Sequence, residues 1–110
     1  MNTQEYEPLA DLFHILSHPV RLQILDELRK RETCVCHLQA VTDKPQAYIS
    51  QQLRLLREAD LVEDVKDGQN VFYHLKSAAV RRLLLDSLGE AGSAMVLPEC
   101  NCPFCVLGDR

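Results

Sequence analysis

The stretch QAYISQQLRLLREADLVEDVKDGQNVFYHL, residues 46–75, decides the fold of this chain. Its first half repeats apolar residues at the spacing of a helix that turns about 100° per residue, which predicts a helix over Gln46–Ala59. The apolar positions on the inner side of that helix are Ile49, Leu53 and Leu56. The second half contains Asp67-Gly68 between two runs of β-prone residues, which predicts a β-hairpin over Val62–Leu75.

Helices are also predicted on both sides of this stretch. The first has apolar residues at helical spacing, and these are Leu9, Leu12, Phe13 and Leu16. A second helix is predicted over Pro19–Lys30, and a short third helix follows Thr33, its predicted N-cap. A last helix is predicted from Ser77 to Gly89. This order predicts a mainly α chain with one β-hairpin, the winged helix-turn-helix, whose second turn-linked helix enters the major groove of DNA.

Length and composition indicate the domain organisation. The 110 residues are 46% hydrophobic, enough for one domain, assigned to residues 1–90, and a cysteine-containing tail is assigned to residues 91–110. No apolar run approaches the roughly 18 residues that a membrane span needs, and the opening residues MNTQEYE do not resemble a secretory signal. We therefore expect a cytoplasmic protein without a membrane partner. The net charge of -4 neither favours nor excludes DNA binding, because one face makes the phosphate contacts.

The five cysteines fall into two groups. Cys34 and Cys36 lie in ETCVCHLQ at the predicted start of the third helix, whereas Cys100, Cys102 and Cys105 crowd the tail. In a reducing compartment, clustered thiols are more often metal ligands or redox switches than structural disulfides. All five cysteines are therefore candidate metal ligands.

Three segments resemble the ArsR/SmtB family of winged-helix repressors. SHPVRLQILDEL resembles the second helix of that family, ETCVCHL its metal-binding third helix, and ISQQLRLLREADLVEDVKDGQNVFYHL its recognition helix and wing. The resemblance covers roughly residues 9–88. It implies a homodimer held together by the first and last helices. It also implies a repressor that binds double-stranded operator DNA and that a metal releases.

The polar side of the predicted recognition helix supplies candidate DNA contacts. They are Gln46, Tyr48, Ser50, Gln51 and Arg54. Glutamine pairs bidentately with adenine, and arginine with guanine. At the hairpin tip, Lys66, Gln69 and Asn70 are candidates for contacts to the DNA backbone or the minor groove. The alternative is that this helix face and hairpin are ordinary solvated surfaces.

The spacing of Cys34 and Cys36 suggests a mechanism. Positions i and i+2 of a helix lie about 200° apart, so two helical cysteines cannot converge on one ion unless the first turn is distorted. The third helix supports the recognition helix. A distortion of the third helix should therefore change how the recognition helix is presented to DNA. We therefore hypothesise that a thiophilic metal at Cys34 and Cys36 lowers operator affinity. The alternative is that both cysteines are small buried hydrophobic residues.

Two thiolates do not complete a metal site. The tail cysteines are expected either to complete a mixed site with Cys34 and Cys36 or to form a separate trithiolate site. All-sulfur ligation selects soft ions such as As(III), Cd(II), Pb(II) or Zn(II). His37, which directly follows Cys36, is a less favoured candidate metal ligand than the cysteines.

Three other functions agree with parts of the sequence. A repressor of the same fold could sense redox state or persulfides through its thiols, and a zinc ion in the tail could be purely structural. A thiol oxidoreductase would use Cys102-x-x-Cys105, but that chemistry needs the pair at a helix start in a βαβ setting, and only five residues follow Cys105 here. We therefore do not expect an enzyme.

Overall fold

The structure is a computed structural model, and it describes residues 2–68 and 70–92. A 3-10 helix over Thr3–Tyr6 leads into the first α-helix. The elements that follow are α1 (Glu7–Leu16), α2 (Pro19–Lys30), β1 (Thr33–Cys34), α3 (Val35–Thr42), α4 (Gln46–Glu58), β2 (Val62–Asp67), β3 (Asn70–Leu75) and α5 (Ala78–Leu88). Among these residues, no helix has the length and apolarity that crossing a membrane requires.

The predicted helix order and the hairpin are confirmed. Ser77 caps α5, because its hydroxyl accepts a hydrogen bond from the backbone N–H of Val80 at 3.1 Å. Gly89 follows α5 with a positive φ of 84°, a conformation that glycine adopts without steric cost. Gly68, in the hairpin turn, also has a positive φ, of 64°.

The prediction that Thr33 caps α3 is wrong. Thr33 belongs to β1 and pairs with Tyr73 of β3, and its hydroxyl donates to the backbone carbonyl of Arg31 at 2.9 Å. The N-cap position of α3 is held by Cys34, whose backbone is extended. Pairing with a strand about forty residues away determines this boundary, and such a contact leaves no local signal in the sequence.

The three strands form one antiparallel sheet in the order β1-β3-β2. Cys34 lies opposite Phe72, and Val65 lies opposite Phe72 on the other edge of β3. We call the β2–β3 hairpin the wing. The segment that carries Cys34 is thus part of the same sheet as the wing.

The core lies between the helices and the base of the wing. Its most buried side chains come from α2, α3, α4, β2 and α5, and they are Ile24, Leu25, Leu28, Leu38, Ile49, Leu53, Leu56, Val62 and Val80. Each buried aliphatic side chain stabilises the fold by about 1.5–3 kcal/mol relative to an exposed one. The three apolar positions predicted for the inner side of α4 are all among them.

Large apolar side chains remain exposed on the first and last helices. Leu9 and Phe13 of α1 are each 52% exposed, and Leu88 of α5 is 58% exposed. Tyr6 and Leu85 add to the exposed apolar surface of these regions. Val65 of β2 is also exposed, at 40%, so the first and last helices carry most, but not all, of the exposed large apolar side chains of the described residues.

Candidate nucleic-acid interface and thiol segment

The outer side of α4 presents a polar, positively charged surface. Its exposed side chains include Gln46, Ser50, Gln51 and Arg54, four of the five residues predicted to contact DNA from this helix. We call this outer side of α4 the reading surface. An open groove is lined by Ala47, Ser50, Gln51, Arg54 and Arg57. The side chains combine amide and hydroxyl hydrogen-bonding groups with two guanidinium groups, so the surface suits recognition of base edges and phosphates.

Tyr48, the fifth predicted contact, occupies a different position. It is half-buried and packs against the core. The ammonium group of Lys44 lies 5.8 Å from the centre of its ring, which is within cation–π range. This places Tyr48 at the edge of the reading surface, beside the positive charge of Lys44.

The wing has acidic residues near its base that contact basic side chains of the same chain. Asp64 lies 3.6 Å from the guanidinium of Arg57, and Glu63 lies 2.9 Å from Nε2 of His74. Burial raises the pKa of the Tyr73 hydroxyl, and the charge of Asp64 raises it further. The charge of Arg57 offsets that of Asp64, which reduces the negative charge that the base of the wing presents to a polyanion.

The tip of the wing carries the remaining predicted DNA contacts. Lys66 is exposed near the end of β2, and Asn70 at the start of β3 is half-buried. Gln69, which was also assigned to this tip, lies outside the described residues.

A buried polar contact fixes the inner side of α4. Gln52 is 6% exposed, and its side-chain oxygen accepts a hydrogen bond from Nε of Arg21 in α2 at 2.8 Å. The contact between Arg21 and Gln52 was not predicted from the sequence. The available signal was a glutamine one helical turn from Ile49 and from Leu56, on the otherwise apolar side of the helix.

We call residues 33–42 the thiol segment. Its two predicted metal ligands lie in different elements. Cys34 is 6% exposed and extended in β1, whereas Cys36 is half-buried in the first turn of α3. The expectation that both sit on one helix, and that a metal must distort it, is therefore wrong, because Cys34 already lies outside the helix. Cys36 takes part in a disulfide bond. Cys100, Cys102 and Cys105 lie outside the described residues.

His37 is held in a buried polar contact between α3 and α2. It is 1% exposed, and its Nε2 lies 3.1 Å from Oε1 of Glu27, whose Oε2 accepts from Lys30 at 2.7 Å. The hydrogen bond from His37 lowers the pKa of Glu27, against the opposing effect of burial, and Lys30 lowers it further. The ionised carboxylate accepts, so His37 donates from Nε2. This contact favours a structural role for His37.

The described residues provide the right type of donor for a soft metal but too few of them. Within residues 2–68 and 70–92, no group of three histidine, cysteine or acidic side chains is arranged to hold a metal ion. Cys34 supplies one thiol, and Cys36 supplies a second once its disulfide is reduced, whereas a closed soft-metal site needs three or four sulfur atoms. The donor chemistry fits a thiophilic ion only if further sulfur atoms complete the site.

A short helix, a turn, an amphipathic helix with a polar outer face and a two-stranded wing define the winged helix-turn-helix class. A family model described as "Bacterial regulatory protein, arsR family" matches residues 18–64. The transcriptional repressor SmtB homolog of Synechocystis is 35% identical over 83 residues, which are 76% of this chain and 63% of that protein. The chain thus spans less than two thirds of the length of that relative.

Two solved structures share the fold. Reduced HlyU from Vibrio cholerae has a TM-score of 0.70 and 33% identity, over 77% of this chain and 92% of that one. The homodimeric DNA-binding domain of Mb0332 from Mycobacterium bovis has a TM-score of 0.70 and 25% identity, over 80% of this chain and 84% of that one. This chain belongs to the ArsR family, whose members are regulatory proteins rather than enzymes.

Proposed function

We propose that this protein is a homodimeric transcriptional repressor that binds operator DNA in the cytoplasm through α4 and the wing. The observation that carries the proposal is the outer surface of α4. Gln51, Arg54 and Arg57 are exposed there and line an open groove, while the opposite side of the helix is buried in the core. A helix fixed in this way can enter the major groove with its polar side chains directed at the bases.

The exposed apolar residues of α1 and α5 support dimerisation. Leu9, Phe13 and Leu88 are each more than half exposed, and a second copy would bury them. The related domain of Mb0332 is described as homodimeric. A dimer presents two recognition helices, which suits an operator with two half-sites about one helical turn of DNA apart.

Ligand binding at the thiol segment is proposed to weaken DNA binding. Cys34 belongs to the sheet of the wing through its pairing with Phe72, whereas Cys36 belongs to α3, which packs against α4. A ligand that constrains both sulfur atoms would therefore act on the wing and on the recognition helix together. Such coupling between sites is typically about 1–3 kcal/mol and is reciprocal, so DNA would weaken ligand binding by the same factor.

The ligand we propose is a thiophilic ion, such as As(III), Cd(II), Pb(II) or Zn(II), with Cys100, Cys102 and Cys105 supplying the missing sulfur atoms. The start of the tail supports this. Nη1 of Arg29 donates to the carbonyl of Gly89 at 2.7 Å, which ties the chain two residues before the tail to the end of α2, close in sequence to β1. Eleven residues lead from Gly89 to Cys100 and could span up to about 36 Å, more than the distance across a small domain.

A second candidate function is redox sensing by the same repressor. The specific observation in its favour is the disulfide bond at Cys36. The related HlyU structure is described as reduced, which names a redox state for that protein. In this alternative, oxidation of Cys36 rather than metal binding would change the start of α3.

The test measures DNA affinity and metal binding on the full-length protein with its cysteines reduced, because Cys36 can bind a metal only as a thiolate. The probe is a duplex selected by the wild type from a random-sequence library, and its affinity is measured with and without each of the four ions. Thiolate-to-metal absorbance reports where the ions bind. The wild type is compared with Cys34→Ser/Cys36→Ser and with a chain truncated after Leu97.

Loss of both metal absorbance and the DNA response in Cys34→Ser/Cys36→Ser would support the proposal. A metal seated on these thiols without any change in DNA affinity would refute metal regulation, and loss of binding only in the truncated chain would refute the role of the thiol segment. Release of DNA by an oxidant in the presence of a chelator would favour redox sensing. Unfolding of the protein by a chelator would instead indicate a structural zinc ion bound by the tail.

A further inference from the structure

The guanidinium group of Arg21 connects three helices. Arg21 lies in the first turn of α2, and its Nε donates to the side-chain oxygen of Gln52 in α4 at 2.8 Å. Its Nη1 lies 3.3 Å from the carbonyl of Ile15, in the last turn of α1, and donates to it. The carbonyls at the end of a helix lack partners within that helix, so Arg21 satisfies one of them.

The two acceptors of Arg21 lie next to the two surfaces that are proposed for DNA binding and for dimerisation. Gln52 is buried, and its neighbour Gln51 is exposed on the reading surface of α4. Ile15 packs against the core, while Phe13, two residues earlier, belongs to the exposed apolar surface proposed for dimerisation. The contact from α1 through Arg21 to α4 thus joins the dimerisation helix to the recognition helix.

The guanidinium suits this task because it is planar, always charged and able to donate in several fixed directions. Apolar packing holds α4 against the core, but apolar contacts are not directional and allow a helix to rotate or slide slightly. A charge-assisted hydrogen bond to a buried amide adds a direction. It therefore fixes the rotation of α4 about its own axis, and with it the direction in which Ser50, Gln51 and Arg54 point.

We propose that Arg21 is a positioning residue for operator reading, which fixes the recognition helix relative to the dimer through Gln52 and the end of α1. The inference rests on the proposed DNA-binding function and adds a residue that does not itself touch DNA. In a dimer the two recognition helices must match two half-sites, so an error in the orientation of one α4 occurs in both. Loss of the contact should therefore reduce discrimination between operator and other DNA more than it reduces DNA binding as such.

The experiment uses the full-length protein and a pair of apolar replacements. Arg21→Met leaves the buried amide of Gln52 without its donor, and Gln52→Met leaves the half-buried guanidinium of Arg21 without its acceptor in α4. The double variant Arg21→Met/Gln52→Met removes both side-chain groups. Arg82→Met is the control for loss of a positive charge, because the Arg82 side chain is 80% exposed on α5. The probes are the duplex selected by the wild type and a scrambled duplex of the same base composition, each measured at several salt concentrations, together with urea unfolding.

We expect the single variants to be less stable than the wild type. The double variant should recover part of that stability, because no side chain of the Arg21–Gln52 pair is then left without its partner and only the carbonyl of Ile15 loses its donor. The double variant should nevertheless bind the selected duplex about tenfold more weakly, the size of one lost base contact, and bind the scrambled duplex with unchanged affinity. Its salt dependence should equal that of the wild type, and Arg82→Met should show neither effect.

Two results would overturn the inference alone. If the double variant regains operator discrimination together with stability, the contact is merely structural. If its salt slope falls by about one on both duplexes, Arg21 binds a phosphate directly. If the wild type selects no duplex from the library, the proposed DNA-binding function fails first, and the inference fails with it.

Discussion

The recognition helix α4 and the neighbouring thiol segment, residues 33–42, are held in place by different forces. On α4, Ile49 and Leu56 are completely buried and Leu53 nearly so, and one polar contact, Arg21 to Gln52, adds direction. The thiol segment has a two-residue strand held by β3 and a short helix that places one aliphatic side chain, Leu38, in the core and is otherwise tied to α2 through polar groups. These ties are the hydrogen bonds between His37 and Glu27 and between Gln23 and the carbonyl of Val41, the latter at 2.9 Å.

The difference explains why one region suits reading and the other suits sensing. Apolar burial over three helical turns holds the recognition helix in one orientation, and small chemical changes elsewhere alter it little. Hydrogen bonds to single partners are individually worth about 1 kcal/mol, so a ligand or an oxidant at Cys34 or Cys36 can compete with them. The thiol segment is therefore the part of the structure that a modest binding energy can shift.

Removal of apolar packing under the recognition helix should have the largest effect. Leu56→Ala should lower the free energy of unfolding by about 2–5 kcal/mol, because the side chain is fully buried and its loss leaves a cavity. Urea unfolding measures this change. Gln51→Ala, on the exposed side of the same helix, should change stability by less than about 0.5 kcal/mol. Equal effects of the two substitutions would contradict the description of α4 as a helix held by apolar packing.

The outer side of the recognition helix should govern DNA affinity without governing stability. Arg54→Ala should weaken binding to the selected duplex by about 1–3 kcal/mol, roughly 5- to 150-fold, while the free energy of unfolding stays nearly constant. Fluorescence anisotropy with labelled DNA measures the affinity. Arg82→Ala removes an exposed arginine from α5 and should leave the affinity close to that of the wild type. Unchanged affinity in Arg54→Ala would remove this residue from the reading surface.

The thiol segment should depend on pH through Glu27. The folded-state pKa of Glu27 lies below its ordinary value of 4.5, chiefly because His37 donates to the carboxylate. The contact therefore stabilises the fold fully above about pH 4.5, and this contribution decreases as the pH falls below that value. Glu27→Gln should be about 1 kcal/mol less stable than the wild type at pH 7, and the difference should shrink in acid.

Urea unfolding between about pH 7 and pH 3 tests this prediction. Glu58→Gln, an exposed carboxylate at the end of α4, is the matched control and should follow the wild type across the range. Hydrogen exchange sharpens the comparison, because amides of α3 should lose protection in acid before those of α4. A constant difference between Glu27→Gln and the wild type at every pH would mean that ionisation of Glu27 does not stabilise the segment.

The wing should show the smallest effect. Lys66 is exposed near the tip of the sheet that also contains β1. Lys66→Ala should weaken binding to the selected and the scrambled duplex equally, by less than about 1 kcal/mol, and reduce the salt slope by about one, as expected for a phosphate contact. Affinity measured at several salt concentrations separates these quantities. A change in preference between the two duplexes would instead assign Lys66 to base reading.

Most of the fold could be predicted because its elements carry local signals. The apolar spacing in α4, Asp67-Gly68 in the hairpin, and Ser77 and Gly89 at the ends of α5 each identify an element from neighbouring residues alone. The outer surface of α4 was predictable for the same reason, since the residues opposite a buried stripe must face outward. Only Tyr48 departs from this pattern, because it packs partly against the core.

The thiol segment shows what local reasoning could not supply. Thr33 is an acceptable N-cap by residue type, yet it pairs with Tyr73 and so leaves Cys34 at the start of α3. The contacts from Arg21 to Gln52 and from His37 to Glu27 also join residues far apart in the sequence. A polar residue on an apolar helix face indicates that some partner exists, but it does not identify that partner.

The sequence by itself determined the helix order, the hairpin, which side of α4 is exposed, and the family, because periodicity, caps and turn residues act over a few positions. Only the tertiary structure decided which element carries each cysteine and which buried polar groups meet. Those features depend on pairing between distant segments, and the energy of such a pairing belongs to neither segment alone.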